Sequence, residues 1–425
     1  MTAHVSAPDG RVIDGVKTNY YIARWPRDIR SQKSIPAIDV QHTLQRDVVP
    51  GLTGIRGLAA VWVLLFHLSG ACAPLFGLHW PQDVPIVATG WSGVDMFFVL
   101  SGFVLMRAHG TEFIRLRASS ILRFAKVRIA RVYPLSVVVL MLIALLAIDH
   151  GFVTWYRLHH PGNLTRVAFV KTALLATRWF LPGRGEWNEP VWSLSVEILG
   201  YAAFPVLAWV LSRRSWVAAL ATGLVSLVAL MSYQTMTHVE LDDMGQRSAV
   251  IRMACCFIAG AGMARARAAA PPRVADSSAW LSVVATLFIL AGCLVPGITV
   301  TLPLSYATLI LALSFQRGPI ARALSAPFVQ FLGRISFPLY LLHVMPLLWL
   351  DYRLESGHAA LVPSIAALLL YVVLSVGLAA LLHVAIERPS HRWGRRWART
   401  GLQERDSRDA VPERPHTRGV GQAPT

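Results

Sequence analysis

Leu58-Ala-Ala-Val-Trp-Val-Leu-Leu-Phe-His-Leu68 is an apolar run interrupted by one ionisable residue, with Arg56 at its start. Extended to residues 55–75, it meets the requirement for a membrane-crossing helix, about 20 mostly apolar residues. Ten residues separate Arg56 from His67. On a helix that spacing is about 16 Å of rise. It is close to three turns, so both side chains point to roughly the same side. An ionisable group inside an apolar span is costly and marks a functional site by default. An imidazole also takes and gives a proton near neutral pH. His67 is thus the first catalytic candidate, set against the alternative of a hydrogen-bonded packing histidine.

Similar runs recur along the chain. The 425 residues are 55% hydrophobic and only 15% charged, with a mean hydropathy of +0.50. Soluble domains carry roughly 25% charged residues. The expected fold is an all-α integral membrane protein of about ten transmembrane helices. The spans are read at 55–75, 89–107, 133–149, 190–211, 215–233, 249–268, 279–297, 300–315, 336–351 and 359–386. Residues 1–50 read as a polar N-terminal extension without the apolar core of a signal peptide. Residues 51–390 read as the membrane-embedded domain, and 391–425 as a charged, disordered tail.

A net charge of +17 in a soluble chain would suggest nucleic acid. Here the cations cluster between apolar runs, as at Arg115, Arg117, Arg123, Lys126, Arg128 and Arg131, and again at Arg213, Arg265 and Arg322. Residues 73–88, on the other side, contain no Lys or Arg. The positive-inside rule places the cationic loops and both termini in the cytoplasm. Loop 150–189 is the exception: it faces outward by parity, yet carries Arg157, Arg166, Lys171, Arg178 and Arg184. Its segment 167–180 reads as an interfacial or re-entrant helix. Its Trp155, Tyr156, Trp179 and Trp187 suit an interfacial belt or a surface on which a sugar stacks. Cys72, Cys255, Cys256 and Cys293 lack metal-like spacing and read as packing residues without a disulfide. No phosphate loop, GxSxG elbow, HExxH or nucleic-acid motif is present, and no metal is expected.

Several polar residues lie within the apolar runs. Asp95 and Ser101 fall in the second span, where Asp95 is positioned either to orient His67 or to cap its helix. Glu197, in the fourth span, needs a partner, and Ser193 four residues earlier shares its face. Tyr340 and His343 share a face of the ninth span. Arg123, Arg128 and Arg131 gather at the cytoplasmic edge, suited to anionic lipid headgroups or to a phosphorylated cofactor.

Taken together, Arg56-x10-His67, Gly93-Val-Asp-Met-Phe-Phe-Val-Leu-Ser-Gly-Phe103, Arg128-Ile-Ala-Arg-Val-Tyr-Pro134, Val191-Trp-Ser-Leu-Ser-Val-Glu197 and Gly333 through His343 resemble the acyltransferase 3 family. The resemblance runs from about Leu52 to Glu387, with Phe337 where a tyrosine is common. It implies a bacterial inner-membrane enzyme moving an acyl group, commonly acetyl, from cytoplasmic acyl-CoA to a hydroxyl. The acceptor would be a glycan such as exopolysaccharide or lipopolysaccharide, or a small molecule such as a macrolide. It maps Arg56 and His67, Arg128 and Arg131, and Glu197 onto family positions; the mechanism expected on this chain has His67 as general base, with Glu197, Asp95, His343, Ser101 and Tyr340 around it. Asp95 or Glu197 would stabilise the imidazolium, and Ser101 or Tyr340 would donate to the oxyanion. Arg56, Arg123, Arg128 and Arg131 would hold the acyl-CoA phosphates. Some members add an extracytoplasmic esterase-like domain, so any outer-face step here is expected to use the membrane domain or a partner. A transporter using the same buried groups as a proton relay is the competing class.

Overall fold

A computed structural model describes residues 49–76, 84–181, 185–237, 245–295, 297–355 and 364–409, and no strand occurs among them. The expected N-terminal extension lies almost wholly outside the described residues, as do Arg184 and the tail beyond 409. The long helices are α1 (Pro50–Phe76), α2 (Gly93–His109), α3 (Ala118–Leu146), α4 (Val191–Ser212), α5 (Trp216–Thr237) and α6 (Gln246–Arg267). They continue with α7 (Pro272–Leu294), α8 (Leu302–Leu313), α9 (Pro327–Leu342), α10 (Val344–Glu355), α11 (Ser364–Leu382) and α12 (Arg388–Asp409).

Eight helical segments are long and apolar enough to cross a membrane, and up to ten if each of two bent pairs is one span. The outer surface is apolar, as a hydrocarbon solvent requires: Leu145, Val225, Trp280 and Phe288 are all more than half exposed. Lipid tails are as apolar as the helix sides, so the bundle is held by close packing and by polar links between helices.

Three local features depart from the expected spans. Helix α3 begins at Ala118, fifteen residues before the apolar run. Arg123, Arg128 and Arg131 therefore lie on a helix and not in a loop. The ninth span breaks at His343, where α9 and α10 meet at 50°. Pro346 supplies the cause, since it has no N–H to donate one turn back. Residues 388–409, mostly read as disordered tail, continue as α12 after a single π-turn at His383–Glu387. Trp393 and Trp397 stack at 5.0 Å, and Lys126 of α3 lies over the Trp397 ring.

Helices α2 and α6 cross at backbone distance. A Cβ at Gly102 of α2 would lie 2.0 Å from the Phe257 carbonyl of α6, and one at Gly260 would lie 2.0 Å from the Val99 carbonyl. Only hydrogen fits there. Gly102→Val is expected to cost about 3 kcal/mol or more, because backbone and not a flexible side chain must move. Thermal unfolding of the detergent-solubilised protein measures this, and an unchanged midpoint would contradict the crossing.

In the expected outward loop, helices span His150–His159 and Arg166–Ala173. The loop is tied to the top of α4: the backbone N–H of Arg178 donates to Ser195 Oγ and the Trp179 indole to the Ser195 carbonyl. Arg178 grips Glu186 through two nitrogens at 3.0 Å. Burial pushes the Glu186 carboxyl above the usual range, and the Arg178 guanidinium opposes it. Phe152, Trp155 and Tyr156 bury their rings in a small cluster with Tyr352 and Trp187. Trp155 also donates to Glu355. These rings pack on one another, while Trp179 lies outside the cluster.

Candidate functional site

A cavity of about 330 Å³ lies among α1, α2, α3, α4 and α9. Its wall includes Arg56, Ser101, Arg128, Arg131, Glu197, Tyr201 and Tyr340. Six of these seven were expected as site residues from sequence; Tyr201 was not. Apolar side chains such as Phe97, Val104 and Leu194 complete the lining and keep its charged groups in a low-dielectric setting.

The arginine end is anchored to backbone and held at fixed angles. Arg56 donates from NH2 to the Gly333 carbonyl at 3.1 Å. That carbonyl is within reach because α1 and α9 also cross closely: a Cβ on Gly333 would strike the Thr53 carbonyl at 2.2 Å. Arg128 donates to Nε2 of His109 at 3.0 Å. Nδ1 of His109 in turn contacts Glu112 at 2.9 Å, so Nδ1 carries the proton and Nε2 the lone pair. Glu112 also pairs with Arg123 at 2.9 Å. Arg123 thus does not line the cavity. It closes a chain through Glu112 and His109 to Arg128, and the structure does not bring it into the wall beside Arg128 and Arg131.

The Nε atoms of Arg56 and Arg128 are buried, and neither makes a hydrogen bond among the described residues. Buried donors are normally satisfied. Two such N–H groups beside a cavity suit an anionic acceptor such as a phosphate or carboxylate.

Glu197 stands deeper in the cavity wall. Ser101 Oγ donates to its Oε1 at 2.6 Å and the Tyr201 hydroxyl to the same oxygen at 2.8 Å. The partner expected for Glu197 is therefore a pair of hydroxyls from α2 and α4. Tyr201 follows Glu197 by one turn, so i,i+4 spacing was the signal that could have found it. In this arrangement the Ser101 hydroxyl hydrogen is directed at Glu197. The Tyr340 hydroxyl is likewise engaged, at 2.6 Å from Ser193 Oγ and 3.3 Å from the Pro190 carbonyl.

Asp95 does not meet His67. It is buried in the first turn of α2 and binds Arg252 of α6 through both oxygens, each at 3.1 Å. The Arg252 guanidinium lies 5.5 Å from the Trp91 ring and 5.6 Å from the Trp192 ring. The expected orienting role falls to this ion pair's geometry: both carboxylate oxygens are already spent. Arg252 was visible in sequence as a cation well inside the sixth apolar run, apart from Arg265 and Arg267 at its end, matching a single acid in the second.

His67 is half-buried and not part of the cavity wall. Its ring lies against that of His343, with centroids 4.8 Å apart, and its Nδ1 is 3.2 Å from His343 Nε2. His343 is fully buried at the bend between α9 and α10, one turn beyond Tyr340, which does line the cavity. His343 continues the path of α9, its N–H donating to the Leu339 carbonyl at 3.1 Å, so the course of α9 itself sets the second histidine against the first. Among the described residues no cluster of His, Cys, Asp or Glu could hold a metal ion.

The model of the acyltransferase 3 family, described as an acyltransferase domain, matches residues 49–384. The chain belongs to the acyltransferase 3 family. As a family member it is an acyltransferase, and the cavity, Arg56 and His67 all fall inside the matched region. Acyltransferase MdmB of Streptomyces mycarofaciens is 27% identical over 378 residues, covering 81% of this chain and 92% of that protein. O-acetyltransferase OatA of Staphylococcus aureus is 26% identical over 174 residues, 39% of this chain and 26% of OatA. Protein 2 in the picA locus of Rhizobium radiobacter is 32% identical over 164 residues, 36% of this chain and 78% of that protein. No solved structure matches the chain.

Proposed function

We propose that this acyltransferase moves an acyl group, acetyl in the first instance, from cytoplasmic acyl-CoA to a hydroxyl of a cell-surface glycan at the bacterial inner membrane. The observation that carries this reading is the cavity whose arginines leave two buried N–H groups for an anion, and whose wall residue Tyr340 lies one turn from His343, the partner of His67. Donor phosphates fit Arg56, Arg128 and Arg131, since guanidinium forks bind phosphate oxygens in pairs. The apolar lining suits the uncharged arm that joins those phosphates to the thioester. The relative named an O-acetyltransferase supports oxygen as the accepting atom and acetyl as the group.

Nε2 of neutral His67 takes the proton of the acceptor hydroxyl while its oxygen attacks the thioester carbonyl. The tetrahedral intermediate collapses by breaking the carbon–sulfur bond. The imidazolium then returns its proton to the departing thiolate, leaving an ester and free CoA. Glu197, held by two hydroxyls, contributes negative charge within the same cavity.

The test is transfer of radiolabelled acetyl from acetyl-CoA, by purified protein in nanodiscs, to glycan extracts and, separately, to small hydroxylated metabolites. Label in glycan supports the proposal. Label in metabolites alone moves the acceptor to a small molecule. Uptake of substrate with no covalent label would replace transfer by transport. In the same assay Arg128→Ala is expected to raise the KM for acetyl-CoA about tenfold or more, the value of one lost charge-assisted bond to phosphate. An unchanged KM would remove Arg128 from the donor site.

A further inference from the structure

The proton positions on the two histidines follow from the carbonyls that flank them. Nδ1 of His343 lies 2.7 Å from the Tyr340 carbonyl, and Nδ1 of His67 lies 2.9 Å from the Val63 carbonyl. A carbonyl oxygen only accepts. Each Nδ1 therefore carries a proton, and in a neutral ring Nε2 then carries the lone pair. Nε2 of His343 is 3.2 Å from Nδ1 of His67. The bond between the rings must run from His67 to His343, with the His67 proton shared between His343 and Val63.

We propose that His343 is a positioning residue for acyl transfer: it accepts the Nδ1 proton of His67 and leaves the His67 Nε2 lone pair as the open end of a directed chain. The chain runs from the Tyr340 carbonyl through His343 to His67. It fills the place expected for Asp95, which is committed to Arg252. In serine hydrolases a carboxylate behind the base fixes its tautomer and stabilises the imidazolium. Here a neutral imidazole, itself fixed by a carbonyl, does so at the bend of a broken helix. When His67 captures a proton at Nε2, its Nδ1–H becomes a stronger donor and the bond to His343 tightens.

The proposal rests on His67 as base, but its test does not need acyl transfer. Full-length protein with ¹⁵N-labelled histidine, in nanodiscs at a pH where the pair is neutral, reports each ring nitrogen as protonated or not; His67→Ala identifies the signals. His67 is expected as the Nδ1–H form, the opposite of the form free histidine prefers. Finding His67 protonated at Nε2 would overturn the proposal. A second measurement uses diethyl pyrocarbonate, a small acylating reagent that attacks an unprotonated imidazole nitrogen. The rate at His67, followed by mass spectrometry, is expected to fall about fivefold in His343→Leu, the worth of one hydrogen bond. His343→Gln, whose amide oxygen accepts in place of Nε2, should restore most of it. Equal rates in wild type and His343→Leu would overturn the positioning role. If His67→Ala still transfers acetyl while the Nδ1–H form is found, the base assignment fails and the directed chain stands.

Discussion

His67→Ala is expected to lower acyl transfer by 10²–10⁴-fold while leaving the amount of folded protein unchanged. That loss corresponds to roughly 3–5 kcal/mol of transition-state stabilisation. The structure separates the two parts of this expectation. His67 is half-buried, and its described hydrogen bonds go to one helix carbonyl and one imidazole, so truncation opens little of the core. A base, in contrast, has no exposed substitute nearby: His343 is fully buried, and Asp95 is buried in its pair with Arg252. His67→Gln should be nearly as inactive, because it keeps a donor and an acceptor but cannot take a proton. The measurement is single-turnover acetyl transfer beside size-exclusion profiles of each variant. Transfer at more than a tenth of the wild-type rate by His67→Ala would remove the base assignment.

Asp95→Ala is expected to have the largest effect on folding. It leaves the Arg252 guanidinium buried between α2 and α6 with its carboxylate gone. Breaking a buried pair from one side typically costs about 3–5 kcal/mol. Removing both charges, as in Asp95→Leu with Arg252→Met, should recover much of the stability, since desolvation of two ions is then no longer required. Thermal unfolding in detergent provides the comparison. The informative contrary result is a fully stable but inactive Asp95→Ala protein, which would return Asp95 to a catalytic role.

The helical membrane fold was legible because a 20-residue apolar requirement leaves few alternatives. Arg56, Arg128, Arg131, Glu197, Ser101 and Tyr340 were legible as cavity residues because a polar group in an apolar run must face other protein groups. Pairings were harder. Asp95 was matched to the nearest interesting histidine, although Arg252 offered full charge balance from a helix distant in sequence. Arg123 was grouped with Arg128 by spacing, but Glu112 lies close enough to capture it. The bend at His343 could have been read from Pro346. The contact between the two imidazoles depends instead on how α9 packs against α1, and local sequence does not encode that.

Arg56 and His67 belong to one unbroken helix, so their separation along its axis, about 16 Å, is set by backbone geometry. The other walls of the cavity come from separate helices and can shift against one another as substrates enter and leave. The span from cation to imidazole cannot. With Arg56 holding the donor's anion and His67 as base, as proposed, α1 works as a fixed gauge: a donor engages both ends only if its charged handle and its reactive carbonyl are far enough apart. A short acyl phosphate would fail that requirement by length alone.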